Sequence, residues 1–254
     1  MNCTVLVTVR TASTRLPKKA LRKISKKPLI KILIDRIRNT KNVEDVVVCT
    51  TKKESDNKLV SYLEKEGIEV FRGHNQDILH RLYDAAKKYD LEQFIVVEGD
   101  DLFCEPLFID ETCKELCKTK YEFIIWEKVP FGVSPIGIKT KPLEMLLKNF
   151  KTKDVETGWG IFIIRSGLFR VKKLIPRDKK LHRPEIRLTV DYVEDLKLAK
   201  EVCNNLSGDF SLHDILNLLD RNKNLLKINK NVKEKYWKNF RDKMFKLGSK
   251  NEKK

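Results

Sequence analysis

Val5-Leu6-Val7-Thr8-Val9, followed at once by Arg10-Thr11-Ala12-Ser13-Thr14-Arg15-Leu16-Pro17-Lys18-Lys19, is the stretch that decides the fold. A short run that stays apolar through consecutive positions reads as a strand buried on both faces, the kind found in a parallel sheet covered by helices. The same rhythm continues outward from it. Residues 28–40 place Leu29, Ile30, Leu33, Ile34 and Ile37 on one helical stripe, and 43–50 form a second buried run through Val46-Val47-Val48-Cys49. A helix over 55–66, a short strand Glu69-Val70-Phe71, a helix over 77–89 and the strand Phe94-Ile95-Val96-Val97 follow. This βαβα series predicts an α/β fold with a mostly parallel central sheet flanked by helices.

From about residue 106 to 210 the pattern loosens. It offers a helix over 108–118, a strand Phe123-Ile124-Ile125-Trp126, segments at Gly137-Ile138, 143–149 and Ile161-Phe162-Ile163-Ile164, and a strand Arg187-Leu188-Thr189-Val190. Such a half often completes the sheet and supplies a substrate-side lid or a dimer surface; a homodimer is the expected assembly. Helices are predicted over 211–220, capped by Ser211, and over 232–247. With no repeat and no Pro- or Gly-rich linker, residues 1–222 read as one domain, followed at 223–254 by a basic C-terminal helix and disordered tail.

The chain has 254 residues, 53 Lys and Arg against 36 Asp and Glu for a formal charge of +17, and its 41% hydrophobic content excludes a disordered chain. No run of about 18 uncharged apolar residues occurs, which excludes a membrane-spanning helix. The N-terminus lacks the basic start and long apolar stretch of a secretory signal, so a cytoplasmic location is expected. Six cysteines without a Cys-x-x-Cys pair are expected to be reduced thiols, with Cys113 and Cys117 on one helix face in the core. Over half of the excess charge, +9, lies in residues 223–254. That stretch has no Gly-aromatic RNA-binding motif, Cys/His finger or basic zipper, so it reads as a solvated Lys-rich end, and nucleic acid is not an expected partner.

The loop after the first strand holds four cations and three hydroxyls and no acid. Ligands of a parallel sheet bind where strands end, and guanidinium forks with hydroxyl and backbone donors suit phosphate oxygens, which makes the loop a triphosphate-site candidate. Arg10 and Arg15 flank the hydroxyls, and Leu16-Pro17 fixes the loop before Lys19; neither a Walker loop nor a dinucleotide fingerprint is present. Glu98-Gly99-Asp100-Asp101 leaves the strand that ends at Val97. A strand-end carboxylate is often only a turn or helix cap. Beside a phosphate loop of the same sheet it would repel the ligand unless a divalent cation lay between them, so Mg2+ is expected as a cofactor. Asp191 ends the strand Arg187-Leu188-Thr189-Val190 and is a second metal-ligand candidate, while Glu194 and Asp195 fall in the first turn of the next helix, where acids favour the helix dipole.

Arg10-x-x-Ser13-x-Arg15-Leu16-Pro17-x-Lys19-x-Leu21 with Lys27-Pro28-Leu29-Ile30 resembles the opening of the cytidylyltransferases that make CMP-activated sugars. The likeness is greatest to the spore-coat polysaccharide cytidylyltransferase family. Val47-Val48-Cys49-Thr50-Thr51, Val70-Phe71-Arg72-Gly73, Asp77-Ile78-Leu79-x-Arg81, Gly99-Asp100 and Arg187-Leu188-Thr189-Val190-Asp191-x-x-x-Asp195-Leu196 also match that family's motifs, and the likeness spans about residues 3–230. Lys18 and Lys26 stand where the family usually has glycine. Val96-Val97-Glu98-Gly99-Asp100-Asp101-Leu102-Phe103 lacks the arginine and proline of the family's version, which bears on acceptor choice.

The resemblance implies a Rossmann-like, GT-A-type nucleotidyltransferase fold. It also implies transfer of a CMP group from CTP to a sugar acid, sugar phosphate or other phosphorylated acceptor, with release of pyrophosphate, for surface glycan or polysaccharide synthesis. Under it Arg10, Arg15 and Lys19 hold the phosphates, Asp100 and Asp191 hold Mg2+, and Arg81 belongs to the nucleotide site, with Ser13 and Thr50 either lining that pocket or standing as ordinary surface hydroxyls; Arg15, Lys19 and Asp100 carry the chemistry. Lys139, Lys141, Arg165 and Arg187 are candidate binders of an acidic or phosphorylated acceptor, with a plain surface charge as the other reading of each. Glu156-Thr157-Gly158-Trp159-Gly160 sets the Trp159 ring either against a ligand or in the core at a tight turn. Two other functions are weighed: a GT-A glycosyltransferase, for which Glu98-Gly99-Asp100 approximates the D-x-D metal motif, and a nucleic-acid-binding protein acting through the tail.

Overall fold

The computed structural model describes residues 3–152 and 158–239. Its strands are β1 Cys3–Thr8, the small hairpin β2 Lys23–Ile24 and β3 Lys27–Pro28, β4 Val43–Thr51, β5 Glu69–Gly73, β6 Gln93–Glu98, β7 Phe123–Trp126, β8 Ile136–Lys139 and β9 Val171–Leu174. The helices are α1 Leu29–Arg38, α2 Asn57–Lys65, α3 Ile78–Lys88, α4 Pro106–Lys118, α5 Thr140–Asn149, α6 Trp159–Ser166, α7 Val193–Asn205 and α8 Leu212–Arg221. Seven strands form one sheet in the order β5-β4-β1-β6-β8-β7-β9. β5, β4, β1 and β6 are mutually parallel, β8 runs antiparallel to both β6 and β7, and β9 returns parallel to β7.

Side-chain alternation along β1 explains its central place. Val5 and Val7 face one core layer and Leu6 the other, each fully buried. Helices α1, α2, α4, α7 and α8 cover the first face, and α3, α5 and α6 the second. The helices start where local chemistry favours it: Asp77 accepts from the backbone of His80, and Ser211 and Asp214 form a reciprocal capping box.

After β1 the chain builds outward to β4 and β5, then crosses back to lay β6 along the other side of β1. The loops leaving β1 and β6 therefore diverge, opening the crevice expected at such a switch point. Gly99 lets the two strand ends lie together: its N–H donates to the Thr8 carbonyl at 2.8 Å. A Cβ there would stand 2.7 Å from the Val9 Cβ and 2.9 Å from the Thr8 oxygen.

Two expectations are corrected. Residues 187–190 join no strand of the sheet; they form an extended segment bridged at Arg187 to Phe131. Backbone bonds from Leu188 to the Phe131 carbonyl at 2.8 Å, and from Val190 to the Asp100 carbonyl at 2.9 Å, tie it across two loops. Second, the cysteines are not all reduced: Cys3 at the start of β1 is bridged to Cys113 on the helix above, with Cα atoms 6.0 Å apart. Cys117 lies one turn further along the same helix face, and Cys49, Cys104, Cys117 and Cys203 are free thiols.

Ile161-Phe162-Ile163-Ile164 lies within α6. Among the described residues no helix is long and apolar enough to cross a membrane. Residues 232–239 are helical and are seated on the body by Asn229, which donates to the Arg187 carbonyl at 3.1 Å and to Asp195 at 2.9 Å, and by the buried Val232. The rest of the helix expected over 232–247, and residues 240–254 of the tail, lie outside the described residues.

Candidate active site

Asp56, fully buried ahead of α2, shapes the cationic loop. It accepts from the Thr11 backbone N–H at 2.8 Å and from the hydroxyls of Thr11, Thr50 and Thr51. Burial alone would raise this carboxyl, but the bonds from Thr11 and Thr51 outweigh it and hold it below the usual carboxylate range. Thr50, expected in the nucleotide pocket, is corrected here: it is fully buried and bonded to Asp56 at 3.0 Å, a support beneath the loop. Leu16 anchors the other limb in the core, its N–H donating to the Ser13 hydroxyl at 3.2 Å. Lys18 sits at φ 54°, the left-handed region that suits the glycine of the resembled motif. At the second departure the positive φ falls on Ser25, not on Lys26.

The cations and carboxylates meet at the mouth of the crevice. Lys19 Nζ bridges Asp100 and Asp191, the latter at 2.9 Å, and Arg15 also bonds Asp191. Arg187 reaches Asp191 at 2.9 Å and Asp195 at 3.0 Å, and Asp195 in turn accepts the backbone N–H groups of Asp191 and Tyr192. Residues expected to hold the phosphates thus pair here with those expected to hold Mg2+. Four acids converge here, Glu98, Asp100, Asp101 and Asp191, and the loop supplies the positive charge that they require. Burial and the Asp100 charge push the Glu98 carboxyl up to about 7. The same two causes raise Asp101 well above its ordinary value. Burial would raise Asp191 as well, but Lys19 and Arg15 hold it far below the usual range. An ammonium lodged between two carboxylates marks where cationic charge belongs, and their hard oxygen donors fit Mg2+.

A crevice of about 900 Å³ collects Arg10, Ser13, Arg15, Lys19, Arg81, Asp100 and Asp191, every residue expected in the nucleotide and metal sites except Thr50. Arg81 is buried in its wall, with Nε donating to the His74 carbonyl at 2.9 Å. Trp159 is both a core residue and a wall of the crevice, and its indole N–H donates to Glu98 at 2.9 Å. Gly158, at φ 81°, turns the chain into α6 beneath it.

The predicted acceptor binders fare differently. Lys139 pairs in register with Gln93, at the start of β6, which puts it and Lys141 at the opposite end of the sheet from Glu98. Arg165 is exposed on α6 and lines neither pocket, while Arg187 is buried between Asp191 and Asp195. A second pocket of about 400 Å³ opens beside the crevice, bounded by Trp126, Phe131, Ile186, Lys233 and Trp237 and lined also by Glu98 and Asp101. Sequence reasoning missed Asp56, Lys233 and Trp237. Only the spacing of Lys233, Tyr236 and Trp237 on one helix face could have pointed to the last two.

The sequence profile of the family described as Cytidylyltransferase matches residues 4–205. An uncharacterised protein of Methanocaldococcus jannaschii is 31% identical over 92% of this chain and 96% of its own length. The spore coat polysaccharide biosynthesis protein SpsF of Bacillus subtilis is 26% identical over 85% of this chain and 93% of its own. Among solved structures, a cytidylyltransferase from Leptospira borgpetersenii superposes with a TM-score of 0.78 at 23% identity, covering 89% of this chain and 97% of that one.

Proposed function

Because this chain belongs to the cytidylyltransferase family, we propose that it transfers the CMP group of CTP to an anionic sugar, a sugar acid or sugar phosphate, in the synthesis of a surface polysaccharide. The observation that carries this reading is the meeting, in one crevice at the sheet's switch point, of the β1 loop cations with the carboxylates Asp100 and Asp191. The name of SpsF, a spore coat polysaccharide biosynthesis protein, supports a role in polysaccharide synthesis.

Arg10, Arg15 and Lys19 bind the triphosphate, and in doing so Arg15 and Lys19 leave Asp191 and Asp100. The two released carboxylates are the residues that would hold Mg2+, which when bound neutralises charge on the triphosphate. An acceptor oxygen, either a phosphate oxygen or a hydroxyl that gives its proton to water, attacks the α-phosphorus, the bond from that phosphorus to the bridging oxygen breaks, and pyrophosphate leaves with the electron pair. Lys19 and Arg15 meet the negative charge that grows on the leaving group, so they stabilise the transition state more than bound CTP. Arg187 and Asp195 keep Asp191 oriented throughout. Trp159 does the same for Glu98.

The test is pyrophosphate release from each of the four NTPs with Mg2+ against a panel of sugar acids, sugar phosphates and their neutral parent sugars. Release confined to CTP and to anionic sugars supports the proposal. Release with another NTP, or with neutral sugars alone, contradicts it.

A further inference from the structure

The family profile ends at residue 205, yet the crevice and its neighbour are completed by a segment far beyond it. Lys233, Tyr236 and Trp237 occupy positions i, i+3 and i+4 of the helical residues 232–239 and so share one face. That face is turned to the site. Trp237 borders both pockets, and the Tyr236 ring lies 4.6 Å from the guanidinium carbon of Arg187 and 5.7 Å from that of Arg15. Phe131 packs against both aromatic rings, at centroid distances of 5.3 and 6.0 Å. Asn229 and Val232 fix the start of the helix, and Asn239 donates to the Tyr192 hydroxyl at 3.2 Å further along. The wall is therefore held at several points.

The charges of the smaller pocket single out one residue. Glu98 and Asp101 are acids, and the Arg187 guanidinium is already bonded to Asp191 and Asp195. Lys233 remains. Among the described residues its ammonium meets no carboxylate and makes only long bonds, at 3.3 and 3.4 Å, to the carbonyls of Pro184 and Glu185. Trp237, with 37% of its surface exposed, offers an aromatic face beside it.

We propose that the C-terminal helix determines acceptor specificity, with Lys233 pairing with the acceptor's anionic group and Trp237 lying against its ring. This rests on the cytidylyltransferase reading above. Hydroxyls of the same acceptor meet Glu98 and Asp101, which line the same pocket. A carboxylate and a phosphate would both satisfy Lys233.

The experiment compares wild type with Lys233→Met, which keeps the aliphatic stem, and with Trp237→Ala. Tryptophan fluorescence of protein saturated with Mg2+ and a non-hydrolysable CTP analogue is titrated with 3-deoxy-manno-octulosonate, glucose 1-phosphate and glucose. The CTP-induced rise in melting temperature is read on the same samples. At least one of the two anions is expected to bind wild type, and the better of them identifies the source of the charge. Lys233→Met should weaken that anion at least tenfold while leaving the CTP shift unchanged, and Trp237→Ala should weaken it as well. Equal anion binding by Lys233→Met and wild type would overturn the proposal, as would glucose binding as well as either anion, or neither anion binding. In each of those cases an intact CTP shift leaves the nucleotide reading standing, whereas loss of the shift in wild type would remove that reading first.

Discussion

Lys19 donates to Asp191 across 2.9 Å although 172 residues separate them in the chain. One comes from the loop after β1, the other from the extended segment before α7, and the same ammonium also bonds Asp100 at the end of β6. The ion pair thus joins three parts of the chain at the point where the sheet opens. Burial works against the Lys19 charge, but Asp100 and Asp191 outweigh it and raise the ammonium's affinity for its proton. The protein therefore keeps this lysine charged while no substrate is bound.

Removing that charge should expose its purpose. Lys19→Met leaves Asp100 and Asp191 facing each other without their shared partner, and a loss of roughly 3 kcal/mol is expected, on the scale of breaking a buried pair. Added Mg2+ should restore part of the loss in Lys19→Met and do less for wild type. Denaturation with and without Mg2+ measures this; a variant indifferent to Mg2+ would contradict the overlap of ammonium and metal positions.

Asp191 and Asp100 should separate when each is changed to asparagine. Asp191 is bonded by Arg15, Lys19 and Arg187, so Asp191→Asn is expected to cost several kcal/mol as well as turnover. Among the described residues Asp100 pairs with Lys19 alone of the cations and is itself raised by burial, with Asp191 adding to the rise. Asp100→Asn should therefore abolish turnover at a cost of about 1 kcal/mol or less, because lost attraction and relieved repulsion offset each other. Urea titrations in parallel with pyrophosphate assays give both numbers, and equal stability losses would contradict this division.

Glu98 gives the stability a pH dependence of definite sign. Its carboxyl rises from 4.5 to about 7 in the folded protein, so its contribution is fully present below about 4.5 and is lost as pH rises through about 7. Asp191, being depressed, contributes above the ordinary carboxylate range and loses its effect only in strong acid. The nucleotide-free protein should thus melt lower at about pH 8 than at about pH 5. Glu98→Gln, which keeps an oxygen for the Trp159 indole, should gain more over wild type at the higher pH. A constant difference between the two proteins across that interval would count against a buried Glu98 proton.

The Cys3–Cys113 bridge is checked by counting thiols. Unfolded protein prepared without reductant should show the four free cysteines 49, 104, 117 and 203, and all six after reduction. Six thiols before reduction would restore the expectation drawn from cysteine spacing.

Much of this architecture was legible from residue order. The doubly buried run 5–9, the stripe of 28–40 and the helix over 77–89 depend on local periodicity, and each has its counterpart in β1, α1 and α3. Arg187-Leu188-Thr189-Val190 has the composition of a strand and misled for that reason: its backbone partners are single residues in distant loops, Phe131 and Asp100, which no local pattern encodes. The site followed the same rule. The motif residues of the strand-end loops line the crevice, whereas the Thr50 hydroxyl is bonded to the buried Asp56 and does not line it. Lys139 lies at the other end of the sheet from Glu98, because β8 runs antiparallel to β6. The wall supplied by Lys233 and Trp237 depends on a return of the chain that only the tertiary structure reveals.

The most direct test of the central claim is the melting temperature of the protein with Mg2+ and each of the four NTPs. Binding to the native state at a hundredfold excess over Kd adds about 2.7 kcal/mol. For a domain of this size that is a rise of roughly 5–10 °C. The account predicts such a rise with CTP and a clearly smaller one with ATP, GTP and UTP. Equal rises with all four would contradict the assignment to cytidine, and no rise with any of them would contradict the account as a whole.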